Sequence, residues 1–98
     1  MSRYVLSPAA HADLEQIWDY TCDRWGDDQA EKYVREIQRA IERVVDNPGI
    51  GRPCDEVRPG YRKHPVGTHT LYYRVAGVDV IDVVRILHQR MDIDRHLD

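Results

Sequence analysis

The sequence predicts an α+β fold, a small mainly antiparallel sheet with an N-terminal antiparallel helical hairpin on one face. Three observations predict it. Apolar residues recur at helical spacing from Ala10 to Trp25 and again from Ala30 to Val45. Beyond residue 60 their period falls to two. Very few residues separate the two helical stretches, which favours an antiparallel pair. The expected order is β-α-α-β-β-β in one domain over residues 1–98.

Arg3–Leu6 is short and β-prone, and Ser7-Pro8 stops it. The same pair opens a helix, with Ser7 as cap and Pro8 at the first position, where no amide donor is needed. Ala10, Leu14, Ile17, Trp18, Thr21 and Trp25 form its apolar stripe. Asp13, Glu15, Asp19 and Asp23 are expected to point elsewhere, and Trp18 and Trp25 to anchor the core. Gly26 is placed to end the helix.

Asp28 and Glu31 have capping-box spacing at the start of a second helix. Its apolar face holds Ala30, Tyr33, Val34, Ile37, Ala40, Ile41, Val44 and Val45, and Asn47-Pro48-Gly49 stops it. Residues 48–60 are rich in proline and glycine and read as a loop. Tyr61–His64 reads as a strand ended by Pro65 and Gly67. His69–Val75 and Val80–Leu87 read as longer strands joined by a turn around Gly77-Val78-Asp79. Leu71, Tyr73 and Val75 are expected on one face, with Tyr72 and Arg74 on the other. One of the adjacent tyrosine rings should then be core and the other open to contact. Ile81, Val83, Arg85 and Leu87 are expected to alternate with Val80, Asp82, Val84 and Ile86. Both sets are partly apolar, which suits a central strand. Gln89–Asp98 is polar and reads as a tail with at most a short turn.

A net charge of −3 argues against a general polyanion binder. Residues 1–50 carry six Lys and Arg against ten Asp and Glu, whereas residues 51–98 carry eight against seven, so any basic surface should lie beside the sheet. Arg58, Arg62, Arg74, Arg85 and Arg90 are the partner-contact candidates, and Lys63 lies among them. The competing reading pairs these cations with Asp55, Glu56, Asp79, Asp82 and Asp92.

Cys22 and Cys54 cannot make a disulfide framework or a four-thiolate zinc site. Free thiols are expected, with a single Cys22–Cys54 bridge left open. No metal-ligand spacing occurs, and no metal or cofactor is expected. The opening MSRYVLSPAA has no long apolar run, so a signal peptide is not expected. No stretch nears the ~18 apolar residues of a membrane span. The expectation is a cytoplasmic protein with no membrane partner.

His64, His69, His88 and the tyrosines offer acid–base groups. His88 beside Arg85 and Arg90 comes nearest to a nuclease set, in which cations would hold the phosphate. No serine–histidine–acid or P-loop motif occurs.

Several segments, in this order, resemble the ParE branch of the RelE/ParE toxin superfamily. They are Tyr4 to Ala10 with Asp13-Leu14 and Ile17 to Tyr20, Asn47-Pro48 through Gly51-Arg52, Arg58 to Arg62, His69 through Val75, and Val84 to Asp92. The resemblance covers nearly the whole chain. It implies the toxin of a bacterial type II toxin–antitoxin pair, acting on DNA gyrase by binding and having no active site of its own. It also implies a cognate ParD-like antitoxin whose flexible C-terminal part wraps the toxin, with operator DNA reached only through that antitoxin.

RelE-like relatives share the fold and cut messenger RNA on the ribosome. In that alternative His88 would be acid or base, with Arg62, Arg74 and Arg85 on the phosphate. Such nucleases usually carry a dense basic cluster and a tyrosine or histidine near the chain end. Here no tyrosine follows Tyr73; His88 would have to serve, or else His96. Asp92, Asp94 and Asp98 would repel an RNA backbone. A third reading is a module that retains only antitoxin binding. In the favoured reading, a flexible acidic tail would suit the sheet arginines, and either a sheet edge or the helical hairpin could receive it.

Overall fold

Strand β1 (Arg3–Leu6) leads directly into helix α1 (Pro8–Trp25). The structure is a computed structural model that describes residues 3–91 and 93–95. Ser7 makes the junction between β1 and α1. Its Oγ accepts the Ala10 amide at 3.0 Å and donates to the Val84 carbonyl at 2.7 Å. The residue that caps the helix therefore also ties it to the sheet.

Helix α2 (Asp27–Asp46) starts one residue after α1 ends. That residue, Gly26, has φ +92°, a backbone conformation that side chains disfavour. Its amide closes α1 on the Cys22 carbonyl, and its own carbonyl takes the Ala30 amide. Gly26 thus caps both helices, and the expected Asp28 cap is corrected, because the helix has already begun at Asp27.

Strands β2 (Arg52–Pro53), β3 (Tyr61–Val66), β4 (His69–Gly77) and β5 (Val80–His88) complete the sheet, whose order is β1-β5-β4-β3-β2. β1 pairs with β5 in parallel, and the other pairings are antiparallel. The architecture is α+β, with β5 an interior strand between β1 and β4, as its two-sided apolar pattern predicts. The loop at 48–60 holds more order than expected. Pro48–Ile50 forms a 3₁₀ turn, and Arg52–Pro53 pairs with Lys63 and Arg62. β3 also runs through Pro65. The two-residue turn makes Val66 and His69 a hydrogen-bonded pair, so at the next position Pro65 faces outward and owes the ladder no amide.

The main core lies between the helices and the sheet. Ala10 and Ile17 of α1 and Ile37, Ala40, Ile41 and Val44 of α2 meet Leu71, Tyr73, Ile81, Val83 and Ile86. A bulge at Val84 resets the alternation of β5, because Tyr73 pairs with Val83 while Tyr72 pairs with Arg85. After it Ile86 faces the helices and Leu87 the far side, so the expected grouping of Arg85 and Leu87 with Ile81 and Val83 is corrected. On the far side Cys54, Tyr72 and Leu87 form a second cluster, packed by Val57, Tyr61 and Ile93. Both Tyr72 and Tyr73 are therefore buried, and Tyr72 is not open to contact. Val75, expected beside Leu71 and Tyr73, is exposed near the end of its strand.

The tryptophans also depart from expectation. Trp18 is 38% and Trp25 70% exposed, so neither anchors the core. The α1 stripe is rotated toward Ala10, Asp13, Ile17 and Thr21. Cys22 and Cys54 are both free thiols. Residues 93–95 form a short 3₁₀ turn, while Asp92, His96 and Asp98 lie outside the described residues, as does the side chain of Asp94. Among the described residues no helix is long and apolar enough to cross a membrane.

Candidate partner-binding groove

A groove of about 1090 Å³ opens between α1, the start of α2, and the ends of β4 and β5. Ile17, Tyr20 and Trp25 supply apolar surface from the helical side, and Ile86, Leu87 and Met91 from the sheet side. Tyr20 is 60%, Trp25 70% and Met91 48% exposed. Apolar surface gathered on a concave face of a small domain is the usual mark of a docking site.

Asp13 and Arg85 also line the groove. The Arg85 guanidinium donates from Nε to Asp13 Oδ2 at 2.8 Å and from Nη2 to Oδ1 at 2.7 Å. The Ile86 amide donates a third bond to Oδ2 at 2.9 Å. Both charged side chains are largely buried, and the bidentate geometry satisfies them internally. The expectation that Asp13 points away from the core is corrected. It faces inward because the Ile86 amide, just past the bulge, and the Arg85 side chain both need an acceptor there. Nothing in the periodicity marks Asp13, since its partner lies 72 residues away.

A second polar cluster stands at the groove mouth. His69 and His88 are direct cross-strand partners, with ring centroids 5.4 Å apart and edge-to-face. Tyr33 of α2 places its hydroxyl 2.6 Å from His69 Nδ1 and accepts the Thr68 amide at 3.1 Å. The His69 pKa is lowered, first by burial and then by His88, while Asp13 pulls the other way. His69 is thus held neutral at pH 7. His88 Nδ1 accepts the Arg90 amide at 3.2 Å. His64, away from this groove, is also lowered, by burial and then by Arg43.

The remaining candidates are spread over the molecule. Arg62 pairs with Tyr73 on the helical face, and its Nη1 donates to the Gly51 carbonyl at 2.6 Å. Arg74 lies on the opposite face, in a half-exposed ion pair with Asp82 at 3.0 Å. That pair is among those the competing charge reading foresaw. Arg58 and Arg90 are exposed, on the loop before β3 and the turn after β5. The structure therefore does not bring Arg62, Arg74, Arg85 and His88 together, and the arginines do not form one face. Among the described residues no group of three or more His, Cys, Asp or Glu side chains could hold a metal ion.

The chain resembles known proteins along nearly its whole length. A family model described as the ParE toxin of the type II toxin–antitoxin system, parDE, matches residues 4–93. Toxin ParE1 of Mycobacterium tuberculosis is 69% identical over 96 residues, covering 98% of each chain. Toxin ParE1 of Caulobacter vibrioides is 46% identical over 97 residues, covering 99% of each. A solved chain of a chromosomal ParDE TA system from P. aeruginosa superposes with a TM-score of 0.75 at 30% identity, over 90% of this chain and 95% of that one.

Proposed function

The chain belongs to the ParE toxin family of type II toxin–antitoxin systems, and on that premise we propose that it inhibits DNA gyrase by binding, without catalysis, and is neutralised in the cytoplasm by a ParD-like antitoxin seated in the groove. One observation carries the reading. The groove between the helices and the sheet is apolar, and its internal charges, Asp13 and Arg85, already satisfy each other. Such a site suits a folded segment of a partner better than a phosphate ester, which needs cations aimed at it. The similar P. aeruginosa chain comes from a ParDE system, which supports a ParD-like partner here.

Arg58, Arg62, Arg74 and Arg90 are proposed as contacts for gyrase or for antitoxin outside the groove, and Arg85 as the residue that shapes the groove from within. The test is DNA supercoiling by purified gyrase with increasing toxin, with and without antitoxin. Loss of supercoiling, restored by antitoxin, is the expected result. Unchanged supercoiling with folded toxin would remove gyrase as the target.

The paired imidazoles of His69 and His88 are the one observation favouring the ribosome-dependent nuclease. The nuclease would still need cations beside them, and Arg62, Arg74 and Arg85 are each engaged elsewhere.

A further inference from the structure

The two lips of the groove differ in charge, and the helical lip, over residues 19–28, carries four aspartates and one cation. Asp19 and Asp23 lie three residues beyond Gln16 and Tyr20, both groove residues, and so extend the same side of α1. Asp27 and Asp28 open α2 just before Gln29, which also lines the groove. All four are exposed. Asp19, Asp23 and Asp27 are close enough together to act on one thiol. Cys22 has its pKa raised by partial burial, by a hydrogen bond to Asp27, and by the charges of Asp27, Asp19 and Asp23. Among the described residues none of these three carboxylates has an ion-pair partner. Between residues 19 and 28 the only cation is Arg24, which lies over the Tyr20 ring at 5.3 Å with its Nε on the Tyr20 hydroxyl. The sheet lip carries neutral His69, with His88, Met91 and the nearby exposed Arg90.

We infer that the groove takes an amphipathic segment of a partner protein whose apolar face fills the floor and whose basic flank lies along Asp19, Asp23 and Asp27. This rests on the groove-docking reading above and adds the charge of the occupant. That charge is opposite to the acidic tail suggested by counting sheet arginines. The carboxylates repel one another in the unbound toxin, and a row of lysines or arginines relieves that repulsion on binding. Each contact is exposed and individually weak, so the effect comes from several acting together.

The test uses the full chain and two synthetic amphipathic helical peptides with the same apolar face and one flank of either lysine or glutamate. Tryptophan fluorescence of a Trp18→Phe background, in which Trp25 is the remaining indole, reports binding. The lysine peptide is expected to bind at least about tenfold more tightly at low salt, with the ratio shrinking as salt rises. A combined Asp19→Asn, Asp23→Asn and Asp27→Asn variant should bring the ratio near one while the shared apolar affinity persists. Equal affinities, or a preference for glutamate, would overturn the inference while leaving groove docking intact. If neither peptide binds, or if sedimentation shows a toxin dimer that Trp25→Ala abolishes, groove docking by a partner falls as well.

Discussion

Asp13 and Arg85 join the first helix to the last strand through two parallel hydrogen bonds of 2.7 and 2.8 Å. The contact sits beside the β5 bulge, where the strand ladder is interrupted at Val84. Asp13 then accepts the Ile86 amide, so one carboxylate neutralises a buried cation and satisfies a backbone donor of β5 beside the bulge. Both residues also line the groove between the helices and the sheet. The pair that supports the fold therefore lines the groove proposed for the partner.

Asp13→Ala removes three acceptor contacts at once and leaves Arg85 charged and largely buried. The expected loss is about 3–5 kcal/mol in urea unfolding, a large share of a small domain's stability. Asp13→Leu combined with Arg85→Met should lose clearly less than the two single changes added together, because no orphaned charge remains. A loss below ~0.5 kcal/mol for Asp13→Ala would show that the pair has no structural role of this kind.

Tyr73 fixes the loop after α2. Its hydroxyl donates to the Pro48 carbonyl at 2.6 Å and accepts the Gly51 amide at 2.9 Å. A methyl group on Gly51 would stand 2.7 Å from two ring carbons of Tyr73 and collide with its hydroxyl. Gly51→Ala is expected to destabilise by at least about 1–3 kcal/mol through overpacking. Tyr73→Phe should cost about 1–3 kcal/mol from the two lost bonds. Adding Tyr73→Phe to Gly51→Ala should cost less than it does alone, since the hydroxyl is the nearest atom in the clash. Full additivity in thermal or urea unfolding would contradict this packing.

The helical hairpin, the strands and the interior place of β5 were legible because burial leaves a period in the chain. α2 follows its predicted stripe closely, with Ala30, Ile37, Ala40, Ile41, Val44 and Val45 all buried. α1 does not, because a pattern of residue types cannot say that an aspartate at position 13 will be buried and a tryptophan at position 25 exposed. Asp13 is buried by a partner far along the chain, and Trp25 stays out because the groove beside it is open. Tyr72 was misplaced for a related reason. Alternation gave its face correctly, but not that Cys54, Val57, Tyr61 and Ile93 would cover it. The groove itself had no local signature, since its lining comes from both helices and two strands. The charge count by halves of the chain located basic residues near the sheet and missed that they point to different faces.

Two histidines make stability depend on pH in a defined window. His64 and His69 both have pKa values lowered by burial. Each therefore binds its proton better in the unfolded chain than in the folded protein. Stability should be flat above the unfolded value near 6.5 and fall as pH drops below it, until the lowered folded values are passed. Thermal midpoints at pH 7.5, 6.5 and 5.5 should decline in that order. A His64→Gln, His69→Gln variant should show a shallower decline over the same range. A midpoint that rises on acidification would mean that these imidazoles gain, not lose, proton affinity on folding.

His88 separates docking from catalysis. It stands at the groove mouth, 5.4 Å by ring centroid from neutral His69, with its Nδ1 taken by the Arg90 amide. A nuclease that used it as acid or base would lose at least about 10²-fold in rate on His88→Ala, enough to abolish growth arrest. A toxin that only docks loses one ring from the rim of its groove and should still arrest growth when induced without antitoxin. We expect His88→Ala to remain toxic and to shift antitoxin affinity by less than about tenfold, because rim positions rarely carry the binding energy of an interface. Trp25→Ala is the counterpart. Its ring is exposed in the free toxin, so folding should change little, yet an aromatic anchor buried by a partner is worth about 2 kcal/mol or more. Calorimetric titration of both variants with antitoxin, beside growth curves, distinguishes the two mechanisms. A harmless, folded His88→Ala that still binds antitoxin normally would move this chain to the nuclease side of its superfamily.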